Sequence, residues 1–126
     1  MTTIAVSLFC ALLAGLAVFQ ILLIAGLPLG HFAWGGQNRV LPARLRRGSA
    51  VSILLYAAFA VVALERVGLI DLIPSDGFVV VLTWVIAGYL LLGVVMNLLS
   101  RSRPERYTMA PLSLVLGALA VVIATS

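Results

Sequence analysis

The chain has 126 residues, 63% of them hydrophobic and only 10% charged, with a net charge of +4 and a mean hydropathy of +1.24. Soluble domains are about 45–50% apolar and about 25% charged, so a soluble globular enzyme, a disordered tail and a secreted disulfide scaffold are all excluded. The length leaves room for one domain, and that domain reads as all-α and integral to a membrane, with roughly four crossings of about 20 residues each.

The stretch from Met1 to Asn38 carries no Asp, Glu, Lys or Arg, and Ile4–Leu27 within it reads as the first crossing. Cys10, the single cysteine, reads as a small hydrophobe facing a neighbouring helix. It has no internal disulfide partner. Phe9 before it argues against lipid attachment, and no basic segment precedes it as a cleaved signal peptide requires. Gln20 is the polar residue of this crossing. Its reading is interhelical packing through a hydrogen bond, with ligand contact as the alternative.

Pro28, Gly30, Gly35 and Gly36 then break the helical pattern, and residues 28–38 read as a loop or a re-entrant segment. His31 and Trp34 read as interfacial anchors, and Asn38 closes the uncharged stretch. Arg39, Arg44, Arg46 and Arg47 follow as a basic loop. The second crossing is placed at residues 48–68, ending on Glu65 and Arg66. Asp71, Pro74, Ser75 and Asp76 mark a turn. Residues 77–100 form the third crossing and residues 107–126 the fourth. Between them, Arg101–Arg106 reads as a tight basic turn, redirected by Pro104. Asn97 and Arg101 share a face if the helix continues, and Ser100 lies between them. Glu105 is expected to pair with Arg101 or with an arginine of the first loop. No strand pattern competes, since the apolar runs are far too long for barrel strands.

Charge sets the expected topology. The loops after the first and third crossings hold seven arginines, whereas the middle loop region holds only Arg66. The positive-inside rule places those basic loops in the cytoplasm and both termini outside. So large a bias argues against the dual-orientation insertion found in small multidrug transporters and fluoride channels. The first crossing also lacks an embedded carboxylate, and no pore motif rich in phenylalanine and threonine is present.

Metal and catalytic chemistry are poorly served. A zinc site needs several ligands, and His31 is the only histidine. The predicted topology puts Cys10, Asp71 and Asp76 on the far side of the bilayer from it. His31 with Glu105 is the sole acid–base couple on one side. No catalytic residue, metal or cofactor is assigned. The basic rim, with Arg101, Arg103 and Arg106 beside the first loop, reads as an orientation signal that attracts anionic lipid. The sharper alternative is a headgroup or phosphate site, which arginine forks suit. Small residues four apart, such as Ala11 with Gly15 and Ser113 with Gly117, suit close helix packing and are compatible with a homo-oligomer.

Two segments carry a resemblance. Gly30-His31-x-Ala33-Trp34-Gly35-Gly36 and Asn97-x-x-Ser100-Arg101-Ser102-x-x-Glu105-Arg106, with Leu41-Pro42 and Pro111, resemble those of a group of small uncharacterised bacterial four-helix membrane proteins. The resemblance covers most of the chain. It implies the same topology in a bacterial cytoplasmic membrane and supplies no activity, cofactor or substrate. The expectation is a non-enzymatic accessory subunit or interaction module in contact with membrane lipids or a larger membrane complex, with no nucleic-acid partner. The alternative is a small-molecule transporter or a lipid- or headgroup-binding protein, for which Gln20, His31, Asn97 and Arg101 would have to converge on one cavity.

Overall fold

The computed structural model describes residues 2–126. Among them every regular element is helical, with four long helices: α1 (Thr2–Ile24), α2 (Ala43–Arg66), α3 (Asp76–Leu98) and α4 (Arg103–Ala124). At 1.5 Å per residue each is roughly 33–36 Å long, enough for a hydrocarbon core of about 30 Å. All four are apolar enough to span, so the protein is a multi-pass, all-α membrane bundle.

Two helices start earlier than the charge pattern predicts. The first turns of α2 carry Arg44, Arg46 and Arg47, because Pro42 supplies the extended entry residue and arginine heads leave the helix surface while their stems lie along it. Helix α4 begins at Arg103 with Pro104 in its first turn. A missing N–H costs nothing there, since that donor has no helical partner in any case. The basic turn is therefore confined to residues 99–102. Helix α3 ends at Leu98, so Asn97 and Arg101 do not share a helix face.

The helices form a ring. Helix α1 packs against α2 and α4, α3 packs against the same two, and the α2–α4 diagonal is lighter. The closest approach is between α3 and α4. A Cβ at Gly117 would stand 2.6 Å from Leu91 Cδ2, and one at Gly93 would stand 3.6 Å from Ser113 Oγ. Gly15 of α1 and Gly88 of α3 face nothing within 4 Å, so neither glycine serves close packing inside the bundle, whereas Ala5 of α1 is buried in the core.

The buried core fills the half of the bundle that holds the chain termini. Val6, Phe9 and Leu13 meet Phe59 and Val62 of α2, Ile86 of α3, and Leu116 and Ile123 of α4. The outer surface is apolar as well. Ile4, Val18, Leu54, Val85, Leu92 and Leu114 are all more than half exposed. Water would not tolerate so continuous an apolar exterior on a monomer, whereas lipid covers it.

Polar side chains tie the terminal end together. Arg66 Nη2 donates to the carbonyls of Ala124 and Ser126, which closes α2 onto the C-terminal end of α4, where a cation is favoured by the helix dipole. Glu65 Oε1 accepts from the backbone N–H groups of Leu72 and Ile73. Both charges at the end of the second crossing thus hold backbone. At the start of α3, Ser75 Oγ accepts from Phe78 N at 3.3 Å as an N-cap.

Candidate functional site

The opposite end is organised by residues 28–38. They neither continue α1 nor form a helical hairpin. Gly26, at φ +92°, ends α1 in the left-handed conformation that glycine permits. The chain then makes two short 3₁₀ turns, Gly30–Phe32 and Trp34–Gly36, which lie over the first turns of α4. This segment is a cap on the bundle.

Three consecutive cap residues, Trp34, Gly35 and Gly36, have φ values of 53°, 77° and 71°. A left-handed tryptophan costs on the order of 1–2 kcal/mol, so the fold must hold it there. Trp34 Nε1 donates to Ser49 Oγ at 3.3 Å, and Ser49 is fully buried. The indole lies across Gly48, where a Cβ would stand 2.8 Å from the ring.

Helix α4 supplies the other half of the clasp. Ser102 and Glu105 stand in the S-x-x-E spacing of a capping box, yet neither side chain caps its own helix. Ser102 Oγ donates to the His31 carbonyl, and Glu105 Oε2 accepts from Gly35 N at 3.1 Å. No arginine donates a hydrogen bond to Glu105 among the described residues, which corrects the expected ion pair. The two resemblance-bearing segments therefore meet, 70 residues apart in sequence.

Beneath the cap lies a cleft of about 640 Å³ lined by all four helices and open along α3, where Tyr89, Leu92 and Met96 are more than half exposed; its volume is within the size range of small-molecule sites. Its walls are mainly apolar and aromatic, with Leu16 and Phe19 from α1, Phe32 from the cap, Tyr89 and Met96 from α3, and Leu112 from α4. Its polar groups are few. Gln20, 7% exposed, donates from Nε2 to Tyr56 OH at 3.3 Å. Its Oε1 is buried without a partner. Asn97 Nδ2 donates to Ser113 Oγ at 3.0 Å and to the Met109 carbonyl at 3.4 Å, bridging α3 and α4. Ser100 and Glu105 complete the polar lining, and both are buried.

Of the candidates named from sequence, Gln20, Trp34, Asn97, Ser100 and Glu105 line this cavity. The others do not. His31 is exposed and takes part through its backbone carbonyl. It makes no hydrogen bond to Glu105 among the described residues, so the acid–base couple is not assembled. Asn38 contributes backbone, its carbonyl packing against Gly30. Arg101 and Arg103 are exposed, because the chain leaves α3 two residues before Ser100 turns inward. The Arg106 guanidinium lies 5.0 Å from the Tyr107 ring centroid. The arginines therefore do not frame a phosphate site at the cavity.

Tyr56, Ser49, Ser102 and Ser113 are absent from the sequence-based candidates. Ser49 and Ser52 interrupt an otherwise apolar run, and Tyr56 lies one turn beyond Ser52. The S-x-x-E spacing marks Ser102 and Glu105 as a unit, but as a helix cap. No family model, curated protein or solved structure matches the chain.

Proposed function

We propose that this protein is a non-enzymatic membrane protein that binds a small amphiphilic molecule in the cleft beneath its cap. The observation that carries the reading is the cavity itself. It is walled by four helices apolar enough to span a membrane, is mostly apolar, and holds a buried Gln20 oxygen with no partner. Leaving such a group unpaired costs about 1–3 kcal/mol, and a bound molecule would satisfy it. The interaction-module reading has no comparable feature behind it, and among the described residues His31 and Glu105 make no hydrogen bond that would support acid–base catalysis.

The setting is proposed from charge. Seven of the eight arginines gather at the capped end, and Glu65, Arg66, Asp71 and Asp76 at the other. This supports a bacterial cytoplasmic membrane location with the cap inside, both termini outside, and anionic lipid around the rim. A C-terminal phosphatase fusion should be active and a C-terminal fluorescent-protein fusion dark. The reverse pattern would overturn the orientation.

Native mass spectrometry of protein extracted in mild detergent tests the binding. Wild-type protein should retain a small molecule or a single lipid species. Gln20→Leu and Tyr56→Phe should lose it while the helical circular dichroism is unchanged. A bare protein, or a stoichiometric second protein with an empty cavity, would return the chain to the class of accessory subunits.

A further inference from the structure

We propose that the molecule this cavity takes is an organic ammonium ion on a short apolar body, with Glu105 as its counter-charge. The inference rests on the binding reading above and names the ligand class.

Charge is the first ground. Among the described residues that line the cavity, Glu105 carries the one carboxyl group, and none is a Lys, Arg or His. Glu105 is 6% exposed and accepts one hydrogen bond, from Gly35 N. The first turn of α4 offsets part of the burial cost of this carboxylate, no salt bridge pairs it among the described residues, and an ammonium group supplies a counter-charge. An anion would face Glu105 with no arginine in the lining to pair it, since the half-buried Arg106 guanidinium lies over the Tyr107 ring. Arg101 and Arg103 are exposed outside the cavity, where salt screens them over about 8–10 Å.

Hydrogen-bond inventory is the second ground, independent of charge. Gln20 uses one of its two amide N–H donors on Tyr56 and leaves Oε1 without a partner. Asn97 has spent its donors on Ser113 and Met109, so its remaining group is the Oδ1 acceptor. The lining hydroxyls of Tyr56, Ser100 and Ser113 can donate as well as accept, so the groups fixed as acceptors are Gln20 Oε1, Asn97 Oδ1 and the Glu105 carboxylate. A primary ammonium has three donors and no acceptor, which is the complement. The aromatic residues Phe19, Phe32 and Tyr89 in the lining suit the apolar body that carries the cation.

The experiment uses the full chain in a neutral detergent near pH 7. Trp34 at the cavity roof is the reporter, with lipid-facing Trp84 removed by Trp84→Phe. Three probes share one body: 4-phenylbutylammonium, 4-phenylbutan-1-ol and 4-phenylbutanoate. The ammonium should shift Trp34 emission saturably and bind at least about tenfold tighter than the alcohol, the scale of one charge-assisted hydrogen bond. The carboxylate should bind weakest. Glu105→Gln should abolish the preference for ammonium over alcohol.

Equal binding of alcohol and ammonium, or tightest binding of the carboxylate, overturns the ammonium assignment and leaves the binding reading in place. That ranking is read on protein with Glu105 intact, so it stands even if Glu105→Gln disturbs the cap. No saturable shift with any probe overturns both readings. If the ammonium is preferred, added phosphatidylethanolamine separates two sources of the same chemistry. Displacement of the probe supports an ammonium from a lipid headgroup, and retention supports an ammonium from a free amine.

Discussion

Gly30→Ala should unseat the cap while leaving the four helices formed. Gly30 is buried, and its N–H donates to the Arg39 carbonyl at 2.9 Å. A Cβ there would stand 1.7 Å from the Asn38 carbonyl oxygen and 2.8 Å from that of Arg39. Both are backbone atoms of the strap that returns from the cap to α2, so no side-chain rotation relieves the clash. Overpacking costs about 1–3 kcal/mol or more, and the lost buried hydrogen bond adds about 1–3 kcal/mol. The loss is local, because the cap is a separate opening unit over a bundle that packs mostly elsewhere. Hydrogen exchange should accelerate at residues 30–36, Trp34 emission should shift to the red, and helical circular dichroism should hold.

Two neighbouring glycines grade this expectation. Gly36 combines a positive φ with a Cβ position 2.3 Å from Ser102 Cβ, so Gly36→Ala should also loosen the clasp. Gly35 has a positive φ but open space around it, so Gly35→Ala should cost only the left-handed strain of about 1–2 kcal/mol. If Gly35→Ala proves as disruptive as Gly30→Ala, steric contact is not what sets the cap.

The four crossings are legible in the sequence because length and hydropathy alone decide whether a helix spans a bilayer. The inward faces are not. Lipid is as apolar as the core, so Phe9 inside and Leu8 outside are chemically alike and no polar stripe separates them. What remains readable is the rare polar residue. Gln20 and Asn97 stand out for that reason, and both reach the cavity. Their partners are another matter. Gln20 meets Tyr56 across 36 positions, and Gly35 meets Glu105 across 70; no local spacing encodes either. Local rules also mislead where two uses compete. Pro104 reads as redirecting a basic turn but stands in the first turn of α4, and Ser102 and Glu105, though in the spacing of a capping box, clasp another segment.

Phe9→Ala should destabilise the bundle without touching the ligand. Phe9 is 1% exposed in the terminal half, beside a void bounded by Phe59, Ile86 and Ile123 that has no room for water. In water-soluble proteins such a truncation costs about 3–5 kcal/mol, made up of a transfer contribution and a cavity contribution. Here the separated helices remain in lipid, so little of the transfer contribution survives and the cost falls on lost dispersion contacts. The expected loss is about 2–3 kcal/mol, enlarged rather than relieved by the adjoining void, since the ring of four helices leaves little freedom to close in. Reversible unfolding in mixed micelles measures it. The ammonium probe should bind Phe9→Ala as it binds wild type once both are folded, because Phe9 belongs to the packed half and the cavity to the capped half. A weakened probe at full folding would mean that the two halves are coupled, with the cavity held open by the packing beneath it rather than by the clasp above.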